Sequence, residues 1–165
     1  MPYSLTIKPP VLFASWRGYT PSELREVTDR LTELRRAHGR PVAYVALLPA
    51  SGHVFTESEQ TVLLGFLQTI LPLCATIHHV IEGDGFLKSG RLAIITNLAQ
   101  GTPRPRDFYT HATLDEAVRS VKALYGINLE ATGSVAPEPA PERASGAFRE
   151  AARIVEGRRT PPRKG

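Results

Sequence analysis

The chain has 165 residues, 42% of them hydrophobic, with 20 Lys and Arg against 16 Asp and Glu, formal charge +4. That length suits one domain with some additional chain and leaves little room for two. The composition excludes a wholly disordered or a membranous chain. The longest uncharged stretch, Gln60 to Ile81, contains Pro72, His78 and His79 and is flanked by turn signals, which makes it a poor membrane span. Met1-Pro-Tyr-Ser lacks the basic start of a secretory signal, and Lys8-Pro-Pro falls where its apolar core would lie. The single cysteine, Cys74, has no internal partner for a disulfide and fits a reducing compartment. These features lead us to expect a cytoplasmic protein without a transmembrane segment.

Tyr3 to Ile7 alternates as a strand does, Pro9-Pro10 breaks it, and Val11 to Trp16 reads as a second strand, so the two suit a hairpin. Thr20-Pro21-Ser22-Glu23 opens a helix with a capping box and a proline at the first helical position. Leu24, Val27, Leu31 and Leu34 then recur on one face, and Gly39 and Pro41 close the element. Val42 to Leu48 is apolar without alternation, as expected of a central strand buried on both faces. The helices begun by Thr20 and Thr56 are expected to sandwich it.

Thr56 to Glu59 forms a second capping box, followed by a stripe of Val62, Leu63, Phe66, Leu67, Ile70 and Leu71 that Pro72 ends. Cys74 to Ile81 is the next strand. Phe86 to Leu98 reads two ways: the spacing of Phe86, Leu87, Leu92, Ile95 and Leu98 favours a helix, with Asp84 as its cap, while Leu92 to Thr96 alone also suits a strand. Asp107 to Thr110 suits a short edge strand. Thr113 to Glu116 is a third capping box, and Leu114, Ala117, Val118, Val121 and Leu124 point the last helix inward, with Gly126 ending it.

Strands linked by helical crossovers define an α/β domain with a mixed, mainly parallel sheet of four to five strands and about four helices. Its span is residues 1–128. Composition then changes. Residues 1–130 carry 13 basic and 12 acidic side chains, net +1, whereas 131–165 carry seven and four, net +3. Those last 35 residues include five prolines and four glycines. We read 129–165 as a Pro/Ala/Arg-rich basic tail, too poor in apolar side chains to fold alone, in which Ser145 to Glu156 has a brief helical pattern. Nucleic acid is not expected as a partner, and this tail is its only route of contact, since no arginine stripe with interleaved aromatics is present.

The element order, the Trp16-Arg17-Gly18 turn before the first helix and the Asp115-Glu-Ala-Val118 motif in the last one resemble a SpoIIAA-like (STAS) domain, in the bacterial branch labelled STAS/SEC14. The resemblance covers about residues 3 to 125. It implies a non-catalytic regulatory or protein-interaction domain, with a protein partner or a second copy as its target. In antagonists of this fold a phosphorylatable serine starts the second helix after an acidic residue. Ser58, after Glu57, matches it, although the following glycine of the family is Glu59 here. The SEC14 label implies the alternative, a small apolar, lipid-like ligand held in a pocket under the Phe86 helix.

Among chemistry-bearing residues, His78 and His79 invite a metal, but neighbours on a strand point to opposite faces. His53 and His111 fall in loops, which leaves them free to approach in space. Zinc needs three or four ligands, so neither metal nor cofactor is expected. Ser51-Gly52-His53 has a hydroxyl beside an imidazole but not the flanking glycines of a nucleophile elbow. No catalytic residue is assigned, and the chain leans away from being an enzyme. Glu82-Gly-Asp84-Gly-Phe86 lies after a strand, where α/β proteins bind ligands. With Trp16, Arg17 and Tyr19 it makes the candidate ligand or partner loops. The exposed sides of the Thr56 and Phe86 helices are the candidate docking surface.

Overall fold

The computed structural model describes residues 3–126; the tail read from 129–165, with its brief helical pattern, lies outside the described residues. Strand β1 (Tyr3–Lys8) turns through Pro9-Pro10 into β2 (Val11–Trp16), and the two pair antiparallel. Helix α1 (Pro21–His38) follows, then β3 (Val42–Leu48), α2 (Glu57–Ile70), β4 (Cys74–Ile81), α3 (Gly85–Gln100), a single 3-10 turn, β5 (Phe108–His111) and α4 (Leu114–Tyr125). The strands lie in the order β1-β2-β3-β4-β5, and every pair after the first is parallel. The sheet is therefore mixed and mainly parallel, with β3 at its centre.

The helix starts follow from local chemistry. Thr20 accepts from the Glu23 amide, while the Glu23 carboxylate accepts from the Thr20 amide at 2.6 Å. Thr56 and Glu59 repeat the arrangement at α2. Each such cap is worth about 1 kcal/mol. At α4 the box is split: Thr113 accepts from the Glu116 amide, but the Glu116 carboxylate takes the amide of Ala112 instead. Asp84 occupies the cap position of α3 without a side-chain hydrogen bond there, contrary to expectation. Gly39 ends α1 at φ 76°, a left-handed conformation that a side chain disfavours, and its amide reaches the Arg35 carbonyl.

Two cores form on the two faces of the sheet. On one, Leu12, Tyr44, Ala46, Leu48, Ile77 and Ile81 meet Leu24, Val27, Leu31 and Leu34 of α1, Phe66, Leu67 and Ile70 of α2, and Ile95 and Leu98 of α3. On the other, Val11, Phe13, Ala43, Val45 and Val80 meet Ala117 and Val121 of α4. The expectation that α1 and α2 sandwich β3 is thus corrected. Both lie on one face with α3, and α4 supplies the opposite layer. The reason is topological: parallel strands added successively on one side, with crossovers of one hand, put their helices on one face.

The apolar stripes are also narrower than the sequence suggests. Val62 is 45% exposed on α2, Phe86 and Leu92 face outward on α3, and Leu124 is 48% exposed on α4. Among the described residues, no helix is long and apolar enough to cross a membrane.

Candidate functional site

A cleft opens at the carboxyl end of β3, between the sheet and helices α2 and α3. Tyr44, Ala46 and Leu48 form its floor because alternate residues of a strand share a face. Leu63, Phe66 and Leu67 of α2 make one wall, and Ile95 and Leu98 of α3 the other. Trp16, Arg17, Gly18 and Tyr19, from the end of β2 and the turn beyond, line the cleft with His53 and Phe55, and the Tyr19 and Phe55 rings lie 6.5 Å apart. The cavity measures about 40 Å3, room for about three waters.

The aromatic end is tied together by a hydrogen bond and ring contacts. Trp16 Nε1 donates to Tyr44 Oη at 2.8 Å, both rings being buried. Phe66 packs edge-on against each ring, and Tyr3 stacks on Trp16 at 5.1 Å. Burial pushes the Tyr44 phenol above its ordinary range, so it remains a neutral hydroxyl. Tyr19 donates to the Glu59 carbonyl at 2.9 Å, and burial followed by the Glu59 charge pushes its phenol up to about 12. The Glu59 carboxylate receives the Thr56 amide at 2.7 Å and lies 2.9 Å from His53 Nε2. The Thr56 amide is the main cause holding that carboxyl below its usual range.

Two buried ionisable side chains, Arg91 and His79, line the cleft. Arg91 on α3 is 2% exposed. Its Nη1 donates to the Pro49 carbonyl at 2.6 Å and its Nε to the His53 carbonyl at 2.9 Å, which fastens the β3–α2 loop over α3. No described carboxylate pairs with it, and burial lowers its affinity for the proton. Gly52 makes this seat: a Cβ there would stand 1.7 Å from Arg91 Nη2.

His79 on β4 is 4% exposed and stacks on Phe108 of β5 at 6.1 Å. Its Nδ1 is buried with no hydrogen-bond partner among the described residues. Burial, then the charge of His111, lowers its pKa to about 4, so the ring is neutral near pH 7.

His78 takes the opposite face, as its strand position requires. Its Nδ1 lies 3.0 Å from His111 Nε2 and its Nε2 3.0 Å from Thr76 Oγ1. Its ring stacks on Tyr109 at 4.9 Å. Burial, followed by His111 and His79, lowers its pKa to about 3. The expected loop pair His53 and His111 is not brought together: His53 lines the cleft, and His111 ends β5 against His78. Among the described residues, no group of three or more His, Cys, Asp or Glu is placed to hold a metal ion.

Of the expected loop residues, Trp16, Arg17 and Tyr19 line the cleft, whereas Glu82, Asp84 and Phe86 do not. Glu82 directly follows β4 and is half-buried, its amide bonded to the Leu48 carbonyl at 3.0 Å. Asp84 is exposed, and Phe86 is 88% exposed on the first turn of α3. Ser58 is exposed in the first turn of α2 between Glu57 and Glu59. The sequence reading missed His79 and Arg91. Both carry a periodic signal: His79 alternates with Ile77 and Ile81 on the helix-covered face, and Arg91 precedes Ile95 and Leu98 on one helical stripe.

The fold and cleft define an α/β domain with three helices on one face of a mixed sheet, one on the other, and an apolar cavity at the strand ends. No protein-family model matches the chain, and no curated protein shows significant similarity to it.

Proposed function

We propose that this domain is a non-catalytic binding module that takes a small apolar molecule into the cleft above β3. The observation that carries the reading is the cleft itself. Its walls are aliphatic and aromatic, and two buried ionisable side chains, His79 and Arg91, line it. Ligand sites have this composition, an apolar body with a few placed polar groups.

Native mass spectrometry of the full chain, purified without detergent, tests the reading. The expected result is an added mass that Ala46→Leu, which fills the floor, removes while the thermal melt stays cooperative. A chain that carries no added mass and whose Trp16 emission ignores added hexan-1-ol speaks against it.

A SpoIIAA-like (STAS) identity is part of this proposal. Its support is the antiparallel first strand pair followed by parallel strands in sequential order. A cytoplasmic setting is proposed from the lone thiol, Cys74, which is buried and pushed up to about 12 by its surroundings, burial first.

A second reading, a regulatory domain that docks a protein or a second copy, is favoured by Phe86. A ring 88% exposed on a helix is a typical anchor of partner surfaces. Sedimentation velocity across a concentration series tests it. Mass should rise with concentration and Phe86→Ser should abolish the rise, whereas a monomer throughout refutes self-association.

A further inference from the structure

We propose that His111, His78, Thr76 and Tyr125 form a hydrogen-bond chain that reverses its direction when His111 takes up a proton, a pH-sensitive switch under α4. It lies on the face of the sheet away from the cleft and is independent of what the cleft holds.

The placement follows from the register. Thr76, His78 and Val80 alternate on one face of β4, and the pairing of His78 with Tyr109 and of Val80 with His111 sets two β5 rings beside them. His78 Nδ1 lies 3.0 Å from His111 Nε2, with the ring planes within 15° of parallel. His78 Nε2 lies 3.0 Å from Thr76 Oγ1, which lies 3.4 Å from Tyr125 Oη at the end of α4. His78 is fully buried, whereas His111 and Tyr125 are half-buried.

Two facing ring nitrogens at 3.0 Å share one hydrogen, so one donates and the other accepts. A neutral imidazole carries a single N–H, so the direction of that bond sets the rest of the chain. A phenol is a stronger acid than an aliphatic hydroxyl, hence the better donor and the poorer acceptor. With both rings neutral the chain therefore runs from Tyr125 to Thr76, from Thr76 to His78 Nε2, and from His78 Nδ1 to His111 Nε2. His111 keeps its own hydrogen on Nδ1.

An added proton belongs on His111, because charging the fully buried His78 ring costs more. Glu116 of α4 is the carboxylate whose charge favours that proton; burial is the main cause opposing it. Arg119 acts on Glu116, His79 on His78, and Arg104 and Cys74 on Tyr125, while the Tyr109 ring stacks on His78 at 4.9 Å. A charged His111 has hydrogen on both nitrogens and must donate to His78 Nδ1. His78 then carries its hydrogen on Nε2 and donates to Thr76, and Thr76 donates to Tyr125. One proton enters from solvent, and His78 stays neutral with its N–H moved across the ring. The half-buried Tyr125 hydroxyl thus offers a lone pair outward when His111 is neutral and a hydrogen outward when His111 is charged.

The full chain, labelled with nitrogen-15 in histidine, is followed by proton–nitrogen NMR from about pH 7.5 to about pH 5. At the neutral end His78 should carry its hydrogen on Nδ1. Toward acid it should shift to Nε2 while remaining uncharged, with the same midpoint as the charging of His111. Glu116→Gln keeps an acceptor for the Ala112 amide and should lower both midpoints together. His111→Phe should hold His78 in one tautomer throughout. Hydrogen on His78 Nε2 already at neutral pH overturns the proposal. So does a His78 ring that charges itself, or one whose tautomer is unmoved while His111 charges. Unfolding before His111 charges overturns it too, since the switch must operate within the folded chain. If His111→Phe does not fold, the paired midpoints in the parent chain and in Glu116→Gln decide.

Discussion

Substituting Gly52 by alanine tests whether Arg91 is held by close approach of the β3–α2 loop. The added Cβ would lie 1.7 Å from Arg91 Nη2 and 2.9 Å from Cζ, so the guanidinium must leave its seat or the loop must lift. Either movement weakens the bonds to Pro49 O at 2.6 Å and His53 O at 2.9 Å. Hydrogen bonds from a charged donor are worth about 1.5–3 kcal/mol each, which sets a ceiling of about 3–6 kcal/mol for the pair. A flexible arginine recovers part of this by turning toward solvent, so the expected loss for Gly52→Ala is about 2–4 kcal/mol. Urea unfolding followed by Trp16 emission reads it as a midpoint lowered by about 1–2 M with the slope unchanged. The decisive measurement is the cycle with Arg91→Met. Methionine has no group at the clash point, so Gly52→Ala in that background should cost under about 0.5 kcal/mol. An equal cost in both backgrounds would refute the argument, since the penalty would then come from the loop alone.

Three further outcomes follow from the same geometry. Tyr44→Phe removes the acceptor of buried Trp16 Nε1 and should cost about 1–3 kcal/mol in urea unfolding, with a shift in Trp16 emission. His79 and His78 are neutral in the fold, with pKa values lowered to about 4 and about 3. The unfolded chain therefore binds more protons below its ordinary histidine pKa, and stability should fall as pH drops from about 6.5 toward 4. His79→Phe should flatten that fall; unchanged slopes for parent and variant would contradict burial of a neutral ring. Thr56→Ala deletes the α2 cap and should cost about 1 kcal/mol by thermal melt, more than the same change at exposed Thr61.

The fold was legible wherever a local rule acts without competition. Val42 to Leu48 has no polar break, and it is the middle strand. Thr20 and Thr56 stand three residues before a glutamate, and both helices start there with reciprocal caps. Legibility failed where position depends on the whole topology. Nothing within α1 or α2 says which face of the sheet each covers; only the direction in which strands are added decides it. The exposure of Phe86 and Leu92 follows from the same limit, because helical spacing identifies a stripe but not how much of it the neighbouring elements reach. At the site, Trp16, Arg17 and Tyr19 were readable as a turn after a strand. His79 and Arg91 were not, since a strand histidine and a helix arginine are ordinary surface residues until the helices close over them. The acidic Glu82–Asp84 loop drew attention by composition, yet it lies outside the cleft.

Helix α4 has a place in time as well as in space. The ribosome emits the chain from its amino end, so β1 to β4 and their three covering helices emerge before Leu114 does. Until then the side of the sheet bearing Val11, Phe13, Ala43, Val45 and Val80 waits without the helix that finally shields it. Synthesis stalled short of Tyr125 would therefore release a half-roofed sheet, a natural client for a holding chaperone.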